Sequence, residues 1–256
     1  MAGEGAPVIK LSGKALNDRD NLKRLFELLR GRKAVIVHGG GVEVDDILSK
    51  MGFKSEKIEG LRVSPKEQMP YITAALSGIC NKKLQALALS CGSNALGLLA
   101  TDGGSVGLDK LGKRFGQVAS ATPGDGSFLQ GLMDNGILPV VCSIGIDGQG
   151  ELYNINADDL AAALARLFHS RLYFISDVRG VFDEKREIID ELNENKVNEL
   201  IAKKVIIDGM LVKVRMALEV ARKTGTDVTI ASLEDPRLYE SLFGPGRFGT
   251  TFVAGG

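Results

Sequence analysis

Short apolar runs alternate with amphipathic stretches along almost the whole chain. Val8 to Leu11 and Ala34 to Val37 are apolar runs flanked by glycine or charged residues, as buried parallel strands are. Further runs predict strands at 95–100, 137–144, 172–176, 228–231 and 249–253. Apolar residues that return every three or four positions predict helices at 21–30, 44–51, 160–168 and 211–221. This alternation predicts an α/β fold, a three-layer α/β/α sandwich with an open, mainly parallel central sheet.

The connecting segments carry turn and helix-start signals. The glycine-rich stretch that runs to about Ser120 predicts hairpins, and Asp147 to Gly150 predicts a turn. Ser64, Pro65 and Glu67 form a capping box with proline at the first helical position. A further helix is therefore predicted to begin there.

The length and the charge balance restrict the class of partner. The chain has 256 residues, and we predict two closely joined lobes on one continuous sheet, 1–170 and 171–256. Hydrophobic residues make up 44% of the chain, which is enough for a sizeable core. Lys plus Arg and Asp plus Glu number 32 each, so no net charge attracts nucleic acid or an anionic membrane. The expected partners are small molecules, and local groups must bind any anion.

Signals of export, membrane insertion and metal binding are absent from the sequence. Met1 to Pro7 has neither a basic stretch nor an apolar core, so no signal peptide is predicted. The longest uncharged run, Leu84 to Thr101, contains polar residues that predict a helix, a turn and a strand rather than a membrane span. The three cysteines form no C-x-x-C pair and are interpreted as small apolar residues in a reducing compartment. A cytoplasmic protein with no metal ligands is expected.

Three glycine-containing turns lie where predicted strands end or helices begin. They are Lys10-Leu11-Ser12-Gly13, His38-Gly39-Gly40-Gly41 and Asp208-Gly209, the last preceding Lys213. Such turns offer backbone N–H groups and a positive helix end to an anion. Lys10 at a strand end and Lys213 in a first helical turn would suit phosphoryl transfer, in which charge spreads over three oxygens. Alternatively, the glycines only form tight turns and the lysines are solvated.

Two familiar motifs are present in incomplete form. Residues 107–113 match a P-loop until Arg114, where a Ser or Thr would be needed to bind magnesium. Residues 103–107 match the G-x-S-x-G of an esterase, but no helix follows Ser105, and the base would have to be His169 at a polar helix end. A P-loop enzyme and an esterase are both disfavoured.

The remaining candidates are polar residues in otherwise apolar surroundings. Asn154 and Asn156 share a face if their segment is extended, and would offer amide donors and acceptors together. Asp158 follows at a predicted helix start, where it could simply accept from backbone N–H groups. Arg62 interrupts an apolar run and is either a surface charge or a forked donor to a carboxylate.

Seven segments in this order resemble the acetylglutamate kinases of the amino acid kinase family. They are residues 8–13, 35–46, 60–64, 81–83, 153–159, 176–181 and 208–214. The resemblance implies an open, mainly parallel sheet between layers of helices. It also implies direct transfer of the ATP γ-phosphoryl group to the side-chain carboxylate of N-acetyl-L-glutamate, which gives an acyl phosphate in arginine biosynthesis.

The resemblance implies a role for each candidate residue. Lys10 and Lys213 would flank the transferring phosphoryl group, and Asp158 would hold both ammonium groups in place. Gly13 and Gly40 would donate backbone N–H groups to the phosphoryl oxygens. The implied acetylglutamate-binding residues are Gly40, Gly41, Arg62 and Asn154. The implied nucleotide-binding residues are Asp177, Val178, Arg179, Gly180, Val181, Phe182, Val205, Ile206 and Ile207.

The implied cofactor is ATP with Mg²⁺, held mainly by phosphates and water, and no protein ligand to the metal is assigned. His38 would pack beside the glycine loop rather than act as a base. The attacking carboxylate is already ionised and has no proton to lose.

One departure leaves the substrate open at the first glycine turn. Acetylglutamate kinases usually have two glycines after the first lysine, whereas Ser12 precedes Gly13 here, as in the uridylate kinase branch. The alternatives are therefore a kinase of uridylate or of another acyl amino acid such as acetyl-aminoadipate. A catalytically silent amino-acid sensor on the same fold is a third, which the presence of Lys10, Asp158 and Lys213 together disfavours. No regulatory domain follows the last strand, so an aspartate kinase is not expected.

The family also implies an oligomeric state. Its arginine-inhibited members have an additional N-terminal helix that links dimers into a hexamer. Only Met1 to Ala6 precede the first predicted strand, which is too short for a stable helix. A homodimer that does not respond to arginine is expected.

Overall fold

The structure is a computed structural model that describes residues 5–244 and 246–253, without the side chain of Asp208. The expectation about Met1 to Ala6 lies mostly outside the described residues. The strands are β1 Val8–Leu11, β2 Val35–His38, β3 Lys57–Ile58, β4 Leu61–Arg62, β5 Ala95–Leu99, β6 Val106–Lys110, β7 Val118–Pro123, β8 Leu138–Cys142, β9 Ile144–Ile146, β10 Leu152–Ile155, β11 Leu172–Ser176, β12 Glu191–Leu192, β13 Val228–Ser232 and β14 Thr250–Phe252. The helices are α1 Arg19–Leu29, α2 Gly41–Lys50, α3 Met69–Thr73, α4 Asn81–Ser90, α5 Ser127–Asp134, α6 Ala157–Leu167, α7 Glu194–Ala202, α8 Asp208–Thr224 and α9 Pro236–Ser241.

Eight strands form the central sheet, in the order β12-β14-β13-β11-β1-β2-β8-β5. The six strands from β13 to β5 are parallel to one another, and β14 is antiparallel to β13. The predicted mainly parallel sheet is confirmed. The apolar run 137–144 is not one strand, because it divides between β8 in this sheet and β9 in a second sheet.

Alternate residues of the central strands face two different layers of helices. Val8 and Val35 pack with α5, α6, α7 and α8 on one face of the sheet. Ile9 and Ile36, one position further along each strand, pack with α1, α4 and α9 on the other face. Because both faces are covered, successive residues of these strands are apolar, except for Lys10 and His38 near the carboxyl ends of β1 and β2. The predicted three-layer sandwich is confirmed.

Two smaller sheets stand beside the central one. The four strands β6-β7-β10-β9 include the antiparallel pair β6–β7, so the predicted hairpin is confirmed. Strands β3 and β4 form a hairpin with a two-residue loop. Both loop residues, Glu59 and Gly60, have positive φ, at 53° and 82°. Positive φ at both loop residues matches the right-handed twist of the strands. The register of this hairpin pairs Lys57 with Arg62.

The prediction of a capping box at Ser64 is wrong, because Ser64 is not the N-cap of the helical turn that follows. A 3₁₀ turn covers Lys66–Gln68, with Pro65 rather than Ser64 at its N-cap, and α3 follows. The buried Ser64 hydroxyl instead donates to the Arg62 carbonyl oxygen at 3.1 Å and accepts from Asn154. Partners brought by the tertiary fold outcompete the local cap.

The sequence patterns did not predict helices α5, α7 and α9, nor one further helical element. A π-helical segment, Ala74–Cys80, joins α3 to α4, and the residues at both of its ends have helical φ and ψ. Segments of this kind often occur at functional sites. Among the described helices, no helix combines the length and the apolar character that crossing a membrane requires.

Candidate active site

The candidate site lies where the carboxyl ends of the parallel strands β1, β2 and β11 meet. Chain connections at this edge of an open α/β sheet form the usual ligand crevice. A cleft of about 400 Å³ opens here between the central sheet, the β3–β4 hairpin and the start of α6. It is lined by seven predicted site residues: Lys10, Gly13, Gly40, Gly41, Arg62, Asn154 and Asp158.

Lys10 and Asp158 form an ion pair inside this cleft. Lys10 Nζ is 2.6 Å from Asp158 Oδ1, and the side chains are only 15% and 25% exposed. The N-cap of α6 is Asn156, whose side chain accepts from the N–H groups of Asp158 and Asp159 at 2.7 and 3.4 Å. Asp158 is therefore not needed as a cap, and its carboxylate holds the lysine.

Lys213 is held by a different carboxylate. Its Nζ is 2.6 Å from Asp177 Oδ1 and donates to Ser176 Oγ at 3.3 Å, while Lys14 Nζ is 2.5 Å from the other oxygen of Asp177. The expectation that Asp158 holds both lysines is thus corrected, because Asp177 at the end of β11 lies closer to Lys213. Lys14 first and then Lys213 hold the pKa of Asp177 well below its usual range.

Asp177 also borders a second, smaller cavity next to the cleft. This cavity measures about 260 Å³ and is lined by Lys14, Ser176, Ser232 and Glu234 among others. Lys14 was not among the predicted site residues. The signal that could have found it is its place directly after Gly13, in a turn that was itself predicted to bind phosphate.

Gly40 and Gly13, in the two glycine turns of the cleft, differ in whether protein packing requires a glycine. A Cβ atom on Gly40 would lie 2.5 Å from Cys80 Sγ and 3.0 Å from Leu76 Cδ2 in the π-helical segment. No atom lies within 4 Å of the corresponding position on Gly13. Gly40 is thus required by packing, whereas no neighbouring protein atom requires a glycine at position 13. The Ser12 hydroxyl accepts from the Ala15 N–H at 3.4 Å.

Arg62 is almost buried, and three of its five guanidinium N–H donors are bonded to protein acceptors. It donates to Asp45 Oδ1, to Ser55 Oγ and, at 3.1 Å, to the Gly41 carbonyl oxygen, with 8% of the side chain exposed. Its hydrogen bond is the main cause that lowers the pKa of Asp45. Arg62 is therefore not a surface charge.

Asn154 faces Arg62's segment across the cleft. Its Nδ2 donates to Ser64 Oγ at 3.1 Å, which leaves its carbonyl oxygen for a ligand. Lys57 lines the same cleft and was missed by sequence reasoning. Only its hairpin pairing with Arg62 brings it there.

The predicted nucleotide-binding residues differ in how far their side chains are buried. Val181 and Ile206 are 1% and 2% exposed and belong to the core, so only their backbone could face a nucleotide. Phe182 and Ile207 are exposed apolar side chains, at 40% and 54%. Val178 and Val205 are partly buried against the core, whereas Gly180 and Arg179 lie in the loop after β11. None of these residues lines the 400 Å³ cleft.

The incomplete motifs do not form sites. Residues 107–113 begin in the hairpin strand β6, so they do not connect a strand to a helix as a P-loop does. The Ser105 hydroxyl is buried and donates to the Asp102 carbonyl oxygen at 2.7 Å. It is not available as a nucleophile.

Paired ammonium and carboxylate groups around glycine turns, at the carboxyl end of a parallel sheet, define a phosphate-handling α/β protein without a P-loop. Residues 6–232 match the amino acid kinase family, and the chain belongs to that family. It is 43% identical over 252 residues to acetylglutamate kinases of Vibrio cholerae and Vibrio vulnificus, a match that covers 96% of this chain and of each relative.

Solved structures share the fold. The Streptococcus mutans protein smu.665 matches with a TM-score of 0.77 and 28% identity, over 98% of this chain and 99% of that one. An N-acetylglutamate synthase from Neisseria gonorrhoeae matches with a TM-score of 0.80 and 16% identity, over 98% of this chain and 60% of that one. At 16% identity the second similarity establishes the fold alone.

Proposed function

We propose that the protein is an ATP-dependent kinase that transfers the γ-phosphoryl group to the side-chain carboxylate of N-acetyl-L-glutamate. The observation that carries this proposal is the cleft in which Lys10, paired with Asp158, stands beside Gly13 and Gly40. Similarity at 43% identity to acetylglutamate kinases supports the same substrate. The product is an acyl phosphate, made for arginine biosynthesis.

Two ammonium groups would stabilise the charge of the transferring group. Lys10 lies on one side of the phosphoryl position, and Lys213 approaches from the Asp177 side once a triphosphate competes for its ammonium group. Charge on the equatorial oxygens of the phosphoryl group grows or redistributes during transfer, and fixed cations there lower the barrier. Asp158 keeps the Lys10 ammonium in place, and no base is needed because the attacking carboxylate is ionised.

Arg62 and its neighbours would select the acyl amino acid. The guanidinium of Arg62 would fork onto the α-carboxylate, Gly41 and Asn154 would hydrogen-bond the rest of acetylglutamate, and Gly40 would contact it next to the phosphoryl group. Free glutamate has an ammonium group in place of the acetamide, and that cation would enter a cleft already lined by Lys57 and Arg62. Acetylglutamate should therefore be a far better substrate than glutamate.

ATP would occupy the second half of the site. We propose that the lobe 1–170 binds the acyl amino acid and the lobe 171–256 binds ATP. The nucleotide would contact residues 177–182 and 205–207, and the ammonium groups near Asp177 fit a triphosphate. Magnesium, held by phosphates and water, would neutralise part of the phosphate charge.

We also propose a homodimer in the cytoplasm that acts only on small molecules. The volume of the cleft, about 400 Å³, suits a small molecule, and the dimer is supported by the resemblance to the family.

An ADP-release assay across acetylglutamate, acetyl-aminoadipate, uridylate and free glutamate tests the assignment. Acetylglutamate should give the highest kcat/KM. Faster turnover of uridylate would instead support the alternative that Ser12-Gly13-Lys14 favours. Equal turnover of acetylglutamate and glutamate would contradict the role of Arg62, and no turnover of any of them would favour the sensor.

A further inference from the structure

A buried chain of hydrogen bonds lies behind the glycine loop. His38, the last residue of β2, is fully buried, and its Nδ1 is 2.7 Å from the Gly39 carbonyl oxygen. Its Nε2 is 3.0 Å from Nδ2 of Asn81, the first residue of α4. The same Asn81 nitrogen donates to the Val140 carbonyl oxygen at 2.8 Å. Neither His38 nor Asn81 lines the 400 Å³ cleft.

The hydrogen-bond partners determine which atoms of His38 and Asn81 donate and which accept. A carbonyl oxygen can only accept, so His38 Nδ1 carries the proton that it donates to Gly39. In the neutral ring Nε2 then accepts from Asn81, whose two amide hydrogens go to His38 and Val140. Burial lowers the pKa of His38 to about 4, in agreement with a ring that stays neutral. A flip of the ring would break both of its hydrogen bonds, and protonation of Nε2 would break the one accepted from Asn81.

Neighbouring residues hold Asn81 in place. A Cβ atom on Gly97, in β5, would lie 1.9 Å from Asn81 Oδ1, so this strand can approach Asn81 only through a glycine. Cys80, directly before Asn81, ends the π-helical segment that packs on Gly40. The segment therefore positions both Asn81 and the glycine loop.

The geometry of one peptide links this chain to the cleft. The Gly39–Gly40 peptide is trans, so its carbonyl and its N–H point in opposite directions. With the Gly39 carbonyl drawn to the His38 ring, the Gly40 N–H is turned away from the ring. Among the hydrogen bonds of the described residues, the Gly40 N–H has no partner.

We propose that His38 and Asn81 are positioning residues, which hold the Gly39–Gly40 peptide so that the Gly40 N–H is aimed at a phosphoryl oxygen. This inference rests on the proposed phosphoryl transfer. A donor held in advance stabilises charge without reorganising during the reaction. The sequence could not show this role, since a histidine beside a glycine loop resembles either a base or a packed residue.

Two substitutions of His38 distinguish its hydrogen bond to Gly39 from its contact with Asn81. In His38→Asn the amide nitrogen lies near the position of Nδ1 and can still donate to Gly39, although Asn81 loses its acceptor. In His38→Gln the amide reaches the position of Nε2, so Asn81 keeps a partner but Gly39 loses its donor. We expect His38→Gln to lower kcat by at least about tenfold, since loss of a whole oxyanion donor costs roughly a hundredfold or more. The KM for acetylglutamate should change little, and His38→Asn, which keeps the donor to Gly39 but loses the Asn81 contact, should retain clearly more of kcat than His38→Gln.

A substitution at Gly97, which packs on Asn81, tests the same series of hydrogen bonds from the Asn81 side. Gly97→Ala should push the Asn81 amide away from His38 and lower kcat in the same direction as His38→Gln. The backbone amide NMR signal of Gly40, recorded on the full-length protein without ligand, should shift in His38→Gln and in Gly97→Ala, and should shift more in His38→Gln than in His38→Asn. This second measurement is independent of turnover, so failure of the substrate assignment would leave it interpretable.

Binding of ADP with Mg²⁺, aluminium fluoride and acetylglutamate measures the stabilisation of the transferring group. His38→Gln should weaken this complex at least about tenfold and leave the binding of ADP alone unchanged. Equal kcat in the Gln and Asn variants, or losses of kcat that only follow a lower Tm, would overturn the proposal. So would an unshifted Gly40 amide in His38→Gln. A wild-type protein that neither turns over nor binds acetylglutamate would instead refute the proposed function.

Discussion

Lys213 and Asp177 form an ion pair of 2.6 Å across the edge of the sheet, although 36 positions separate them in the chain. The same carboxylate holds Lys14 through its other oxygen. Asp177 thus holds two ammonium groups next to the cavity of about 260 Å³, where we propose that the nucleotide phosphates bind. A triphosphate can attract both, because it brings more negative charge than one carboxylate.

Replacing Lys213 should affect the reaction more than substrate binding. Lys213→Ala is expected to lower kcat about a hundredfold or more, because the lost ammonium group would act on the transition state. The KM for acetylglutamate should be nearly unchanged. Steady-state kinetics with both substrates measure the split. Near-normal kcat would mean that Lys213 is only a solvated charge paired with Asp177.

Replacing Lys14 should affect ATP binding. Lys14→Ala is expected to raise the KM for ATP several-fold with little change in kcat, since Lys14 pairs with Asp177 at the smaller cavity and does not line the cleft that contains Lys10. Lys33→Ala is the matched control, because Lys33 forms an exposed ion pair with Asp134 instead. An unchanged KM for ATP in Lys14→Ala would place this lysine outside the nucleotide site.

Neighbouring positions of α6 should separate catalysis from capping. Asp158→Asn is expected to lower kcat strongly at an almost unchanged Tm, because it releases the Lys10 ammonium but leaves the N-cap intact. Asn156→Ala should cost about 1 kcal/mol of stability, since it removes that cap. Thermal unfolding of both variants, beside their kinetics, makes the comparison. A fall in kcat for Asp158→Asn that a lower Tm fully explains would favour the capping role.

Lysine should not be able to replace arginine at position 62. Arg62→Lys keeps the charge but loses the fork that reaches Asp45 and the Gly41 carbonyl oxygen together. The KM for acetylglutamate is expected to rise at least about tenfold, as after loss of a charged hydrogen bond, while the KM for ATP stays constant. If both KM values rise together, Arg62 supports the fold of the cleft rather than the substrate.

His38 should make the protein sensitive to mild acid. Burial lowers its pKa from 6.5 to about 4 in the folded state, so between these values the unfolded chain binds the additional proton. This contribution is fully present above pH 6.5 and is lost as the pH falls to about 4, by roughly 3 kcal/mol. The titratable neighbours Cys80 and Cys142 do not ionise in this window, because burial raises the pKa of each thiol to about 12.

Urea unfolding of the wild type and of His38→Asn, between pH 7 and pH 4, tests this dependence. The difference in unfolding free energy between the two proteins should change across the window, while carboxylate effects common to both cancel. A constant difference would show that His38 is protonated in the folded state as readily as in the unfolded one.

Local sequence patterns were sufficient for the layers of the fold. Runs such as 34–37 and, apart from Lys10, 8–11 are apolar at successive positions because both faces of the central sheet are covered, and that pattern indicates a parallel sheet. The glycine turns with Lys10 and Lys213 were equally visible, since strand ends in such a sheet meet at one edge.

Contacts between segments that are distant in the sequence could not be predicted from it. The sequence did not show that Asp158 holds Lys10 while Asp177 holds Lys213, because both carboxylates follow strands and only the tertiary fold sets which ammonium group is nearer. The capping box at Ser64 failed for the same reason, as Asn154 arrives from 90 positions away. Local propensity describes what a segment can do with its own backbone, whereas buried polar groups bind whichever partner the packed chain brings within 3 Å or so.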